Sequence, residues 1–140
     1  IMVGGGGERR TLRSVARHAD LWNTFGPPEL FRRKISILRW HCEAEGRDPD
    51  EIEKSVLCIT HVSEDPRSVE RVIQETAKRM SNPNREQVQK GMLLGDPEAV
   101  ADRVREYHEA GVTHIILGLL PHFDLPSFRR FAREVMPRFR

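Results

Sequence analysis

Cysteine is nearly absent, two residues in 140, and Cys42 and Cys58 stand at no metal-ligand spacing. A disulfide framework and a cysteine-built metal site are both excluded, and such usage points to the cytoplasm. No apolar run is long enough to span a membrane, and no secretory signal is visible. Charge of either sign is scarce in excess: 23 Lys and Arg against 21 Asp and Glu leave a net charge of +2, too little to demand a nucleic-acid partner. Arg129, Arg130, Arg133, Arg138 and Arg140 gather near the C-terminus, but without interleaved aromatics they read as a solvated helix face. The 38% apolar content suits a single domain, 1–140, with a real core.

What is abundant is glycine in one place. Ile1-Met2-Val3 is a short apolar strand, Gly4 to Gly7 follow, and Glu8-Arg9-Arg10-Thr11-Leu12 opens a helix. Without a Cβ, glycine lets backbone approach an anion and adopt positive φ, while a helix start offers unpaired N–H groups and a positive dipole end. Arg9 and Arg10 add donors suited to phosphate. A glycine linker is the bland alternative, and the immediate helix argues against it. Ile1 lies inside what reads as a core strand, so the chain is expected to begin partway through a larger fold.

Strand and helix alternate from there. Leu12, Val15, Ala16 and Ala19 recur at helical spacing, and Leu21 to Phe25 is a short apolar strand. Gly26-Pro27-Pro28 starts a helix with Phe31, Ile35, Leu38 and Cys42 on one face, stopped at Gly46. Val56 to Val62 predicts a strand buried on both faces. Pro66 starts a helix with Val69, Val72, Ile73 and Ala77 inward, ended by Ser81-Asn82-Pro83-Asn84, and Arg85 to Met92 predicts a short helix. Asp96-Pro97 caps another, with Val100, Val104 and Tyr107 inward and Gly111 as its stop. Thr113 to Leu119 is the fourth strand, and Phe128, Phe131, Ala132 and Val135 suggest a closing helix beyond Pro121 and Pro126.

Four strands joined by helices pair in parallel through right-handed crossovers. A doubly wound sheet and half of an eight-stranded α/β barrel both fit. A dinucleotide unit would want glycine where Arg9 stands and an acidic residue ending the second strand, whereas Asp20 precedes it.

Three ordered blocks carry a family resemblance. They are Ile1 to Asn23, including Gly4 to Arg13 and Ala16-Arg17-His18-Ala19-Asp20-Leu21-Trp22-Asn23; Phe31-Arg32-Arg33-Lys34 through His41-Cys42-Glu43 to Gly46-Arg47-Asp48-Pro49; and Gly95 to Val100 with Gly111 to Leu117. Together they cover most of the chain, which resembles the bacterial luciferase-like monooxygenase family, in particular the branch using the deazaflavin coenzyme F420. The resemblance implies the C-terminal half of a TIM-type (β/α)8 barrel, strands five to eight, truncated at its N-terminus. In that family the turn after the fifth strand holds the cofactor phosphate, so Gly5, Gly6 and Gly7 take this role by resemblance, with Arg9, Arg10 and Thr11 as helpers. Asn23 and Thr24 fall near the cofactor ring or its tail; for Asn23 the structural alternative is a strand-end group satisfying local backbone. The implied chemistry is hydride transfer with coenzyme F420, or with flavin mononucleotide (FMN) as the alternative, on a small organic substrate.

The remaining polar residues are weaker candidates. His61 at the end of the third strand and His122 after the fourth face the loop end and could touch substrate, though a lone histidine is more often a loop or packing residue. No metal is expected, since no second histidine or carboxylate sits at ligand spacing. His41-Cys42 lies mid-helix with Cys42 on the apolar stripe, which disfavours a nucleophilic pair. Glu64 and Asp65 read as loop and cap groups, and Trp22 and Trp40 as core or interface. A half barrel leaves two strand edges open, so a homo-oligomer or a missing N-terminal half is expected to cover them. A noncatalytic cofactor- or anion-binding module is the rival reading, and a nucleic-acid scaffold a distant one.

Overall fold

The computed structural model describes residues 1–81, 84–118 and 124–139. Strand and helix alternate as the turn chemistry predicts. β1 (Met2–Gly4) leads to α1 (Thr11–His18), β2 (Leu21–Thr24), α2 (Pro28–Glu45), a 3-10 turn at Pro49–Glu51, and β3 (Glu53–Val62). Then come α3 (Pro66–Arg79), α4 (Arg85–Lys90), β4 (Leu93–Gly95), α5 (Pro97–Glu109), β5 (His114–Gly118) and α6 (Leu125–Arg130). The last helix continues as a π turn over Phe131–Val135 and a 3-10 turn over Met136–Phe139. His122, Pro121, Leu119, Arg140 and the Asn82-Pro83 part of the predicted helix break lie outside the described residues.

Helix starts are written in the side chains that satisfy first-turn N–H groups. Asp65 Oδ1 accepts from Arg67 N at 3.0 Å, Asn84 Oδ1 from Gln87 N at 3.0 Å, Asp96 Oδ1 from Ala99 N at 2.8 Å and Asp124 Oδ1 from Ser127 N at 3.2 Å. Gly46 ends α2 with φ 66°, a left-handed conformation that glycine adopts without a Cβ penalty.

The chain divides into two compact units. The first comprises Ile1–Leu57 and Tyr107–Ile116. In it β1, β2 and the start of β3 run parallel, with Gly4 opposite Asn23 and Asn23 opposite Ser55. β5 pairs with β3, and Thr113 N donates to Lys54 O at 2.9 Å. Leu12, Val15 and Ala16 of α1 and Phe31, Ile35, Leu38 and Cys42 of α2 are buried, as their spacing predicts. Trp22 and Tyr107 flank Phe31, with ring centroids 5.6 and 5.9 Å from it, and the Tyr107 hydroxyl donates to Gly26 O at 2.8 Å.

The second unit comprises Cys58–Glu106 and Leu117–Arg140. The end of β3 pairs in parallel with β4, Thr60 opposite Leu93 and Val62 opposite Gly95. Ala77, Val88 and Met92 form a cluster against which Ile59, Val72 and Leu94 pack. β4 is a strand that periodicity missed: three residues between two helices are too few to show alternation.

Three expectations need correction. Ile1 and Met2 are exposed, at 77% and 61%, because among the described residues β1 pairs only with β2 and is an edge strand. Trp40 is 63% exposed and so is not core; it sits two positions past Leu38, on the solvent side of α2. In the closing helix Phe131 and Val135 are buried, but Phe128 and Ala132 are exposed, since the buried face runs through Ser127, Phe131 and Val135 at four-residue spacing.

Candidate functional site

The turn between β1 and α1 is held from three sides. Gly5 N donates to Asn23 O at 2.9 Å, Trp22 Nε1 donates to Gly5 O at 2.9 Å, and Lys34 Nζ donates to Gly6 O. Gly5 has φ 120°, outside the reach of an unstrained side chain. A Cβ on Gly6 would lie 3.2 Å from Thr24 Oγ1 and 3.3 Å from Lys34 Cε. On Gly7 it would come within 2.8 Å of Thr11 Oγ1. The glycines are therefore needed for close approach, and two threonine hydroxyls lie against the space that the missing Cβ atoms leave.

α1 begins without the usual devices. Arg10 occupies its N-cap and makes no side-chain cap bond, and its first turn holds no acidic residue. Leu12 N donates to Gly7 O at 3.0 Å, and the positive dipole end of the helix meets no capping side chain. Arg9 and Arg10 are exposed beside it. The one carboxylate in the loop, Glu8, is already engaged: Arg33 donates to it and Lys34 Nζ lies 3.4 Å away. The Arg33 hydrogen bond, aided by Lys34, holds the Glu8 carboxyl below its ordinary range. His41 Nε2 lies 2.8 Å from Glu8 O.

These contacts bring together Gly5, Gly6, Gly7, Thr11, Asn23 and Thr24, and they leave Arg9 and Arg10 at the surface. Asn23 does not bond local backbone through its side chain; Nδ2 donates to Ser55 Oγ at 2.8 Å, and Ser55 Oγ donates to Trp22 O at 3.2 Å. Sequence reasoning missed Lys34, which is only 7% exposed. Its signal was present: Lys34 stands three residues after Phe31 and seven before His41, on the buried stripe of α2, where a charged residue demands a partner.

In the second unit His61 is buried, and it ties three elements together. Its Nε2 is 2.7 Å from Ser68 Oγ on α3, and its Nδ1 is 3.1 Å from Asp124 Oδ2 at the start of α6. Because a carboxylate only accepts, this placement favours the proton on Nδ1, with Nε2 accepting from the serine hydroxyl. Asp65 caps α3, as read. Glu64 pairs with Arg130 at 2.6 Å, and this bond, with Glu134, raises the Arg130 pKa above its ordinary value. Among the described residues no group of three or more His, Cys, Asp or Glu could hold a metal. Cys42 and Cys58 are buried and not in disulfides, and burial pushes the Cys42 thiol up.

No protein-family model matches the chain. Solved structures do. The coenzyme F420-dependent tetrahydromethanopterin reductase of Methanopyrus kandleri matches over 99% of this chain and 50% of its own, with a TM-score of 0.75 at 17% identity. An F420-dependent secondary alcohol dehydrogenase in complex with an F420-acetone adduct matches with a TM-score of 0.83, also at 17% identity, over 99% of this chain and 48% of its own. The EDTA monooxygenase of Chelativorans sp. BNC1 gives 0.71 at 16% identity, over 98% and 43%. The chain thus spans about half the length of the structures it matches. Its fold is that of about half of a TIM-barrel chain, parallel strands alternating with helices, as found in F420-dependent reductases and dehydrogenases and in luciferase-like monooxygenases.

Proposed function

We propose that the chain is the cofactor-holding part, strands five to eight, of a flavin-type oxidoreductase, with coenzyme F420 as its cofactor and FMN as the rival. The observation that carries this is the β1–α1 turn: a fixed glycine backbone leading into a helix whose first turn has neither a capping side chain nor an acid. The residues fit an anionic group. Gly5, its N–H held by Asn23 O, sets the turn; Gly6 and Gly7 offer backbone N–H groups to a phosphate, Thr11 adds a hydroxyl, and Arg9 and Arg10 add charge from the surface. Glu8 does not oppose it, because Arg33 and Lys34 neutralise that carboxylate. Asn23 and Thr24 stand where the cofactor's tail or ring would lie. Once bound, the cofactor supplies or accepts the hydride; the chain's own part is to bind and orient it.

Names of the matching structures support the class, and whole-enzyme activity on a small organic substrate is proposed for a protein of their length. A second copy of this chain, or further strands, would cover the open edge of β1. Fluorescence titration with F420 and with FMN tests the binding. F420 is expected to bind more tightly, inorganic phosphate to compete, and Gly7→Val, whose Cβ would displace the Thr11 hydroxyl, to weaken binding about tenfold, the value of one charge-assisted hydrogen bond. Absence of binding by either cofactor, or indifference to Gly7→Val, overturns the proposal. The second reading, a noncatalytic module, rests on the half-length match; it predicts binding with no hydride transfer to any donor or acceptor.

A further inference from the structure

A groove of about 710 Å³ runs between α1 and α2 in the first unit. Its two walls differ in chemistry. Arg9, Arg13 and Arg17 recur every four residues along the α1 side, while Ile37, Trp40 and Ala44 form a stripe on the α2 side. Glu45 closes one end: Arg17 Nε donates to it at 2.7 Å and Arg13 Nε lies 3.6 Å away. Two guanidinium groups on one carboxylate leave a positive charge over. Arg9 adds another, since it has no carboxylate partner among the described residues. Glu8, also at the groove, is committed to Arg33 and Lys34.

Trp40 is the second observation. Its ring is 63% exposed yet held in place, edge-on to the His41 ring at 4.8 Å, with His41 itself fixed by its contact with Glu8 O. An exposed tryptophan beside three arginines that have a single carboxylate, Glu45, between them is the composition of an interface anchor, because both residue types combine large contact area with charge or polarity. Arg13 and Arg17 lie one turn apart on α1, a rise of roughly 6 Å, and Arg9 extends the row from the turn before the helix.

We propose that this groove docks an acidic amphipathic helix of a partner protein. Carboxylates spaced three or four residues apart meet the arginine wall, and the apolar face of the same helix covers Trp40 and Ile37. The test is fluorescence anisotropy with a labelled helical peptide carrying Glu and Leu on one face. Three controls accompany it: the same peptide with Lys for Glu, oligo-glutamate, and a single-stranded oligonucleotide. The acidic amphipathic peptide is expected to bind, more weakly as salt rises, and to lose about tenfold or more in affinity with Arg13→Glu/Arg17→Glu and separately with Trp40→Ala. All three substitutions are at exposed positions, so an unchanged circular dichroism spectrum is expected and is checked. Equal binding of the lysine peptide, of oligo-glutamate or of the oligonucleotide overturns the proposal, as does indifference of binding to either variant.

Discussion

Lys34 shows how one side chain can shape a loop that it does not belong to. Its ammonium is buried against Gly6 O and near Glu8, so removing it strands the Gly6 oxygen and leaves the Glu8 carboxylate to Arg33 alone. Lys34→Met, which keeps the apolar stem, is expected to cost roughly 1–3 kcal/mol in urea unfolding, and to weaken cofactor binding while leaving the helix content unchanged. Glu8 and Glu45 give a prediction in pH. Hydrogen bonds from Arg33 and Arg17 respectively lower their folded-state pKa values, so their contribution is present above the unfolded value and is lost as pH falls through the folded one. The urea midpoint is expected to hold from neutral pH to about 5 and to fall below about 4, less steeply in Glu8→Gln/Glu45→Gln. An equally steep fall in that variant would remove these two groups as the cause.

At the scale of elements, α2 is the part on which the first unit depends. Phe31 is fully buried between Trp22 and Tyr107, so Phe31→Ala is expected to cost about 3–5 kcal/mol, read as a lowered urea midpoint. Local chemistry made α2 legible beforehand: Pro28 at its start, the stripe Phe31, Ile35, Leu38 and Cys42, and Gly46 at its end are all short-range signals. The same holds for the caps Asp65 and Asp96 and for the glycine loop. What stayed hidden depends on residues distant in sequence. Lys34 reaches Gly6 across 28 positions and His61 reaches Asp124 across 63, and no periodicity encodes such pairs. β4 was missed for the opposite reason, being too short to carry a period. For Trp40 hydrophobicity left core and interface both open, whereas its place relative to Leu38 already put it outside the core.

For the whole molecule, β3 is one continuous strand of ten residues that begins in the first unit and ends in the second. Unfolding of either unit must disturb the strand serving the other, so Cys42 and Cys58, one in each unit, are expected to become reactive to a thiol reagent at the same urea concentration. Separate midpoints would show that the units unfold independently. Light scattering after size exclusion addresses the open edge of β1, and a dimer is the expected species. The three hydrogen bonds that fix Gly5 and Gly6 have a kinetic consequence. A loop already ordered by Asn23, Trp22 and Lys34 has little conformational entropy left to lose when an anion arrives. Association should therefore proceed at a rate set by encounter rather than by loop closure, and differences between competing ligands should show in how long each stays.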